Sequence, residues 1–66
     1  MKVLAREGLI VSYYAPDGVR IHHKKITADG LLDQRTGAVK EGAVEVPESD
    51  FYVRAIAAGE LVRAKG

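Results

Sequence analysis

The stretch EVPESDFYVRAIAAGELV, residues 45–62, decides how this chain folds. Pro47 lacks an N–H, so it must end a strand or lie at a sheet edge. Two residues on, Ser49 is a favourable helix N-cap, because its hydroxyl can accept a bond from an orphaned N–H of the first turn. Glu48 and Asp50 place negative charge at the positive end of the helix dipole. A helix over 50–58 then sets Tyr52 and Ile56 on one stripe, with Phe51 and Ala55 beside it. Gly59 suits the left-handed position that stops a helix, and ELVRA returns the chain to a strand. So short a helix is marginal alone in water. It has to dock on a sheet, and Tyr52, Phe51 and Ile56 are the docking set.

Working outward, REG (6–8), PDG (16–18), ADG (28–30), RTG (35–37) and KEG (40–42) each end in glycine. Such spacing belongs to short strands joined by tight turns. APDG reads as a type I turn with Pro16 and Asp17 at its centre, joining strands near 9–14 and 19–26. In LIVSYY, residues Leu9, Val11 and Tyr13 alternate with Ile10, Ser12 and Tyr14, so both faces carry apolar groups. In VRIHHKKI, Val19 and Ile21 point inward while Arg20, His22 and Lys24 point outward. That phase fails before Ile26, and a bulge near His23 restores it. AVEV, residues 43–46, is a shorter strand with Val44 and Val46 on one face. The polar, glycine-rich segment from about 27 to 43 reads as a mobile loop. The expected fold class is α+β and mostly β: a small antiparallel meander or partly open barrel, with one short capped helix near the C-terminal end.

With 66 residues the chain makes one small domain, 1–66. Of 31 apolar residues nine are alanine, which buries little area, and there is no cysteine to supply a disulfide or thiolate metal site. Apolar burial at about 25 cal/mol per Å² therefore barely offsets chain entropy, and a partner surface or homo-oligomer is expected to help. A net charge of +1 provides no global field for nucleic acid or anionic lipid. No apolar run approaches the ~20 residues needed to span a bilayer. The opening MKVLAREGLIV contains Glu7 and lacks a long apolar core, so it does not read as a secretory signal; synthesis in the cytoplasm is expected.

RIHHKK, residues 20–25, is the sharpest local signal. Arg20, His22, Lys24 and Lys25 read functionally as a basic stripe on phosphates. The same pattern serves an edge strand whose lysines discourage sheet-to-sheet association. Near-neutral charge and the lack of an aromatic-interleaved basic motif favour the edge strand. Adjacent His22 and His23 point to opposite faces, and no helical H-x-x-x-H accompanies them, so no metal is expected. Ser12 and Ser49 lie in no nucleophile motif, and the scattered glycines form neither a phosphate loop nor a dinucleotide fingerprint. No catalytic residue and no cofactor is expected. The aromatics come as two adjacent pairs, Tyr13–Tyr14 and Phe51–Tyr52, and one ring of each pair is expected in the core. An exposed Tyr14 or Phe51 would anchor a protein interface.

The run DQRTGAVKEGAVEVPESDFYVRAIAAGELV, residues 33–62, resembles a family of short uncharacterised proteins of Mu-like tailed bacteriophages and prophages. That family's pattern is D-P-x-T-G, an E-G pair, V-P-[DE]-S, an aromatic pair with basic residues, and a G-[DE]-[LV]-V ending. Asp33, Thr36, Gly37, Glu41, Gly42, Val46, Pro47, Glu48, Ser49, Phe51, Tyr52, Arg54, Gly59, Glu60 and Val62 match it. Met1, Val3, Gly8 and Val11 match the family's opening. The chain departs at Gln34 (usually proline), at Tyr52 (usually tryptophan-like) and at Ala55, which follows Arg54 where the family doubles arginine. Residues 12–32 look like a hairpin insertion. The resemblance implies a virion-associated structural or assembly protein encoded among tail and other virion genes, with other virion proteins as partners and no membrane. Its contact surface would draw on Tyr14, Arg20, His22, Lys24, Lys25, Phe51 and Arg54. A nucleic-acid-binding β-domain working through Arg20–Lys25, and a host-modulating phage protein, are the competing readings.

Overall fold

The computed structural model describes residues 1–64. Seven strands and one helix follow in the order β1 (Lys2–Ala5), β2 (Val11–Tyr14), β3 (Arg20–Ile26), β4 (Gly30–Asp33), β5 (Val39–Glu41), β6 (Val44–Glu45), α1 (Asp50–Ala57) and β7 (Leu61–Arg63). They form two antiparallel sheets, β6-β1-β7 and β2-β3-β4-β5. The second sheet is the expected meander, every strand pairing with its neighbour in sequence. The sheets do not close into a barrel. They touch through a backbone bond from Ala5 N–H to Thr27 C=O (3.2 Å) and through a shared core.

Turn chemistry sets the meander. At the β2–β3 connection, Gly18 N–H donates to Ala15 C=O (2.7 Å) and Ala15 N–H to Val19 C=O (2.8 Å), as the APDG turn requires. The β3–β4 connection is tighter. Thr27 N–H donates to Gly30 C=O (2.8 Å), and the Thr27 hydroxyl accepts from Asp29 N–H and Gly30 N–H, both at 3.2 Å. In the loop after β4, Gly37 N–H reaches Asp33 C=O (2.7 Å) and Asp33 N–H reaches Ala38 C=O (2.8 Å). The segment 27–43 is therefore not a mobile loop. Its glycines are hairpin punctuation, and β4 and β5 lie between them.

Two other expectations need correction. The strand near 9–14 starts only at Val11, because Leu9 N–H closes a turn onto Arg6 C=O (3.0 Å) and leaves Leu9 and Ile10 exposed. Val19 does not point inward; it sits at the turn and is 58% exposed. The opening strand β1 carried no expectation at all, although Val3 and Ala5 are buried at the centre of its sheet. The irregularity near His23 is present. Ser12 pairs with Lys25 and Tyr14 with Arg20, so the extra residues lie on β3 between Arg20 and Lys25.

The core consists of Val3, Ala5, Val11, Ile26, Val44, Val46, Tyr52, Ala55 and Leu61. Both sheets and the helix contribute to it. Residues 12–32 are thus no free-standing arm, since Ile26 is one of the most deeply buried side chains. Val44 and Val46 are buried as expected, and the chain leaves the sheet at Pro47. The Met1 ammonium lies 2.7 Å from Glu45 Oε2, which holds that exposed carboxyl below its ordinary value.

Candidate interaction surface

Helix α1 positions most of the candidate surface. Ser49 stands at the N-cap in extended conformation and its carbonyl accepts from Val53 N–H (2.9 Å), but its hydroxyl makes no capping bond. The cap position is right and the capping side chain is not used. At the other end, Gly59 has φ 80°. Its N–H reaches Ile56 C=O (3.0 Å), and Glu60 N–H reaches Ala55 C=O (2.9 Å). These paired bonds are a Schellman closure, which a residue with a Cβ would strain.

The docking set is partly redrawn. Tyr52 and Ala55 are the buried residues of α1. Ile56 is half-buried against the core, and Phe51 is 43% exposed. Ala55, which the sequence places beside the stripe rather than in the docking set, joins Tyr52 in the core. Phe51 and Tyr52 thus divide as foreseen, one ring out and one in.

Tyr52 also does polar work. Its hydroxyl accepts from Tyr14 N–H (2.7 Å) and donates to Ser12 C=O (3.0 Å). Ser12 and Tyr14 turn these groups toward the free edge of β2, so one phenol occupies the place of a pairing strand. Burial pushes the Tyr52 phenol above its ordinary value near 10. The fold therefore favours the neutral phenol, whose stabilisation is complete below about pH 10 and is lost as pH climbs through the raised value. Alkaline titration should show tyrosinate absorbance and loss of circular dichroism rising together, and a Tyr52→Phe variant should lose that coincidence.

Tyr14 is half-buried rather than exposed. Its ring meets Phe51 at 5.2 Å and Tyr52 at 6.1 Å, and Phe51 meets Tyr52 edge-on at 5.0 Å. The result is a three-ring cluster with Phe51 at its solvent side. Arg54 is exposed in the last turn of the helix, where a cation suits the dipole.

The basic strand does not present one stripe. Arg20 and His22 are exposed, and Lys24 and Lys25 are half-buried. Lys25 pairs across to Ser12 and Leu32, and Lys24 to Asp33. Neighbours on a strand face opposite ways, so the two lysines lie on opposite faces of the sheet. Arg20 bends to Ser12 Oγ (3.4 Å), and Arg35 Nη2 lies 3.1 Å from His23 Nε2. An arginine only donates, so this contact requires an unprotonated His23 Nε2.

Two shallow clefts border these surfaces. One, of about 220 Å³, lies between the sheets and is lined by Tyr13, Leu31 and residues 40–45. The other lies beside Leu9 and Ile10, with Glu7 and Asp29 at its rim. Among the described residues no three His, Asp or Glu side chains converge on a point. No helix among the described residues is long and apolar enough to cross a membrane. Comparison with protein-family models, curated proteins and solved structures finds no match to this chain.

Proposed function

We propose that this chain is a small virion-associated structural or assembly protein of a tailed bacteriophage, which docks on neighbouring virion subunits and carries out no catalysis. In this reading it is made in the bacterial cytoplasm and ends in the particle, in several copies.

The observation that carries the reading is where the apolar side chains lie. Leu9, Ile10, Val19, Val39, Phe51, Val53 and Val62 are all exposed, Ile10 to 61% and Val53 to 54%. Single exposed apolar residues are ordinary, but Leu9 and Ile10 stand together in one loop, and exposed Phe51 lies against the half-buried Tyr14 while Val53 is exposed elsewhere on the helix. A chain this short has little apolar surface to leave outside unless a neighbour covers it. The turn, cap and packing residues of 33–62 that resemble the phage family support the same reading. The basic strand supports nucleic-acid binding less well, because its lysines are divided between two faces.

The test is mass spectrometry of particles purified from an induced or infected culture, where the chain should be present at a fixed copy number. Ile10→Asp and Val53→Glu should change stability by no more than about 0.5 kcal/mol, as exposed substitutions do, yet reduce incorporation several-fold. Absence of the chain from particles, or full incorporation of both variants, would overturn the proposal.

A further inference from the structure

Antiparallel pairing aligns two cross-strand rows in the larger sheet. Val11, Ile26, Leu31 and Lys40 form one, and Ser12, Lys25, Leu32 and Val39 form the next. Val11 and Ile26 are buried in the core, so the first row faces inward. Successive residues of a strand face opposite ways, and the second row therefore looks outward. In that row Val39 is exposed, and Lys25 and Leu32 are half-buried.

Cations collect around the outward row. Arg20 Nη2 lies 3.4 Å from Ser12 Oγ, and Ser12 is the cross-strand partner of Lys25. His23, two residues before Lys25 on β3, shares its face, and Arg35 Nη2 stands 3.1 Å from His23 Nε2. Among the described residues Arg20 and Lys25 form no ion pair, and Arg35 meets only Asp33, at 4.0 Å. Glu41 supplies a carboxylate at the far corner of this face, opposite Gly30. Three cations thus flank the apolar pair Leu32 and Val39. Like charges gathered in this way repel one another until an anion lies among them.

We propose that the outward face of the β2–β5 sheet docks an acidic segment of a partner protein, with carboxylates on Arg20, Lys25 and Arg35 and an apolar side chain over Leu32 and Val39. Charge complementarity selects an anionic occupant, and the rest of the face selects a protein. A single-stranded nucleic acid needs rings on which to stack its bases. Here Tyr14, Phe51 and Tyr52 pack on one another at the helix, and Tyr13 lines the cleft between the sheets. A phosphate backbone also gains nothing by covering Leu32 and Val39, whereas an apolar side chain is driven onto them. The inference rests on the reading of the chain as a protein that docks on others, and names the chemistry of the partner.

The probe is a short end-blocked peptide in which glutamate and leucine alternate, titrated into the purified full chain and followed by NMR. Shifts should concentrate at Ser12, His23, Lys25, Leu32 and Val39, and binding should weaken as salt rises. Arg20→Gln and Lys25→Gln should each weaken binding about threefold. Lys40→Gln, at the end of the inward row, should leave it unchanged. Arg20 and Lys40 are exposed, so those two variants keep their fold. Equal losses for Arg20→Gln and Lys40→Gln would mean that only overall charge is felt, and tighter binding of a thymidine oligonucleotide of equal charge would assign the face to nucleic acid. Either result would overturn the proposal, as would the same shifts arising from self-association without peptide, or a titration without shifts. No particle enters this titration, so absence of the chain from particles removes the virion reading alone, and a silent titration removes this inference alone.

Discussion

Tyr52→Ala is expected to leave the chain unfolded at room temperature. Tyr52 is the largest fully buried side chain, and its truncation removes the ring around which Tyr14 and Phe51 are arranged. Truncating a buried aromatic costs about 3–5 kcal/mol, comparable to the whole stability of a core this small. The milder Tyr52→Phe separates packing from bonding. It keeps the ring but strips the edge of β2, leaving Tyr14 N–H and Ser12 C=O without their partner. A stranded, partly buried backbone group costs about 1–3 kcal/mol. Urea unfolding should therefore rank the variants wild type, then Phe, then Ala, with a clear gap at each step. A Phe variant as stable as wild type would mean that water replaces the phenol and that β2 needs no guard. The freed edge should also raise aggregation of the Phe variant, a second readout that packing alone would not produce.

Gly30→Ala is expected to be nearly as damaging, although it adds only a methyl group. Gly30 has φ 145°, and an added Cβ would stand 2.1 Å from Lys40 C=O. No real Cβ tolerates that approach to a backbone atom, so the β4–β5 pairing must open or β5 must shift. Gly30 is paired with Glu41 and buried, so relaxation is confined. With backbone strain of roughly 1–3 kcal/mol added to the lost ladder bonds, the total should reach about 3 kcal/mol or more. Gly8→Ala is the control. It too has a positive φ, 84°, but nothing lies within 4 Å of its added Cβ, so its loss should stay near about 1 kcal/mol. Equal melting temperatures for the two variants would show that the approach to Lys40 can be relieved cheaply. Loss of protection in hydrogen exchange at the Gly42 and Asp33 amides, which donate to Asp29 and Ala38 across this pair, would locate the damage at the β4–β5 ladder.

Much of the local architecture was legible in the residues. Pro47, Asp50 and Gly59 mark the helix because each acts within a turn or two of chain, and Asp50–Ala57 emerges where they place it. APDG likewise specifies its own turn. The alternation of Val44 and Val46 reveals a buried face even in a short strand. β4 and β5 escaped because the glycines and charged residues around them look the same in a mobile loop and in a hairpin whose strands are three or four residues long. β1 escaped for a related reason: in KVLA only Val3 and Ala5 are buried, and two small side chains barely register as a period.

The candidate surface was legible in composition but not in arrangement. Tyr14, Phe51 and Tyr52 were foreseen as the decisive aromatics, yet nothing near Tyr14 in sequence announces that Tyr52, far along the chain, will bond its N–H. The cations of RIHHKK read as one stripe until the irregularity in β3 and the cross-strand partners divide them. The unpaired edge of β5, Val39–Glu41, belongs to the same class, because an edge is defined by the absence of a neighbour and only the assembled sheets show which neighbour is missing.

What the residues alone determined is a set of short-range choices: the helix and its stop, the tight turns, the mostly β character and the scarcity of large core side chains. Each rests on backbone preferences or hydrogen bonds that close within a few residues, so tertiary context has little power to change them. Only the tertiary structure decided which edge Tyr52 guards, which edge stays open, and which apolar groups face water. Those outcomes depend on contacts between segments distant in the chain, whose energies arise when the sheets and helix meet.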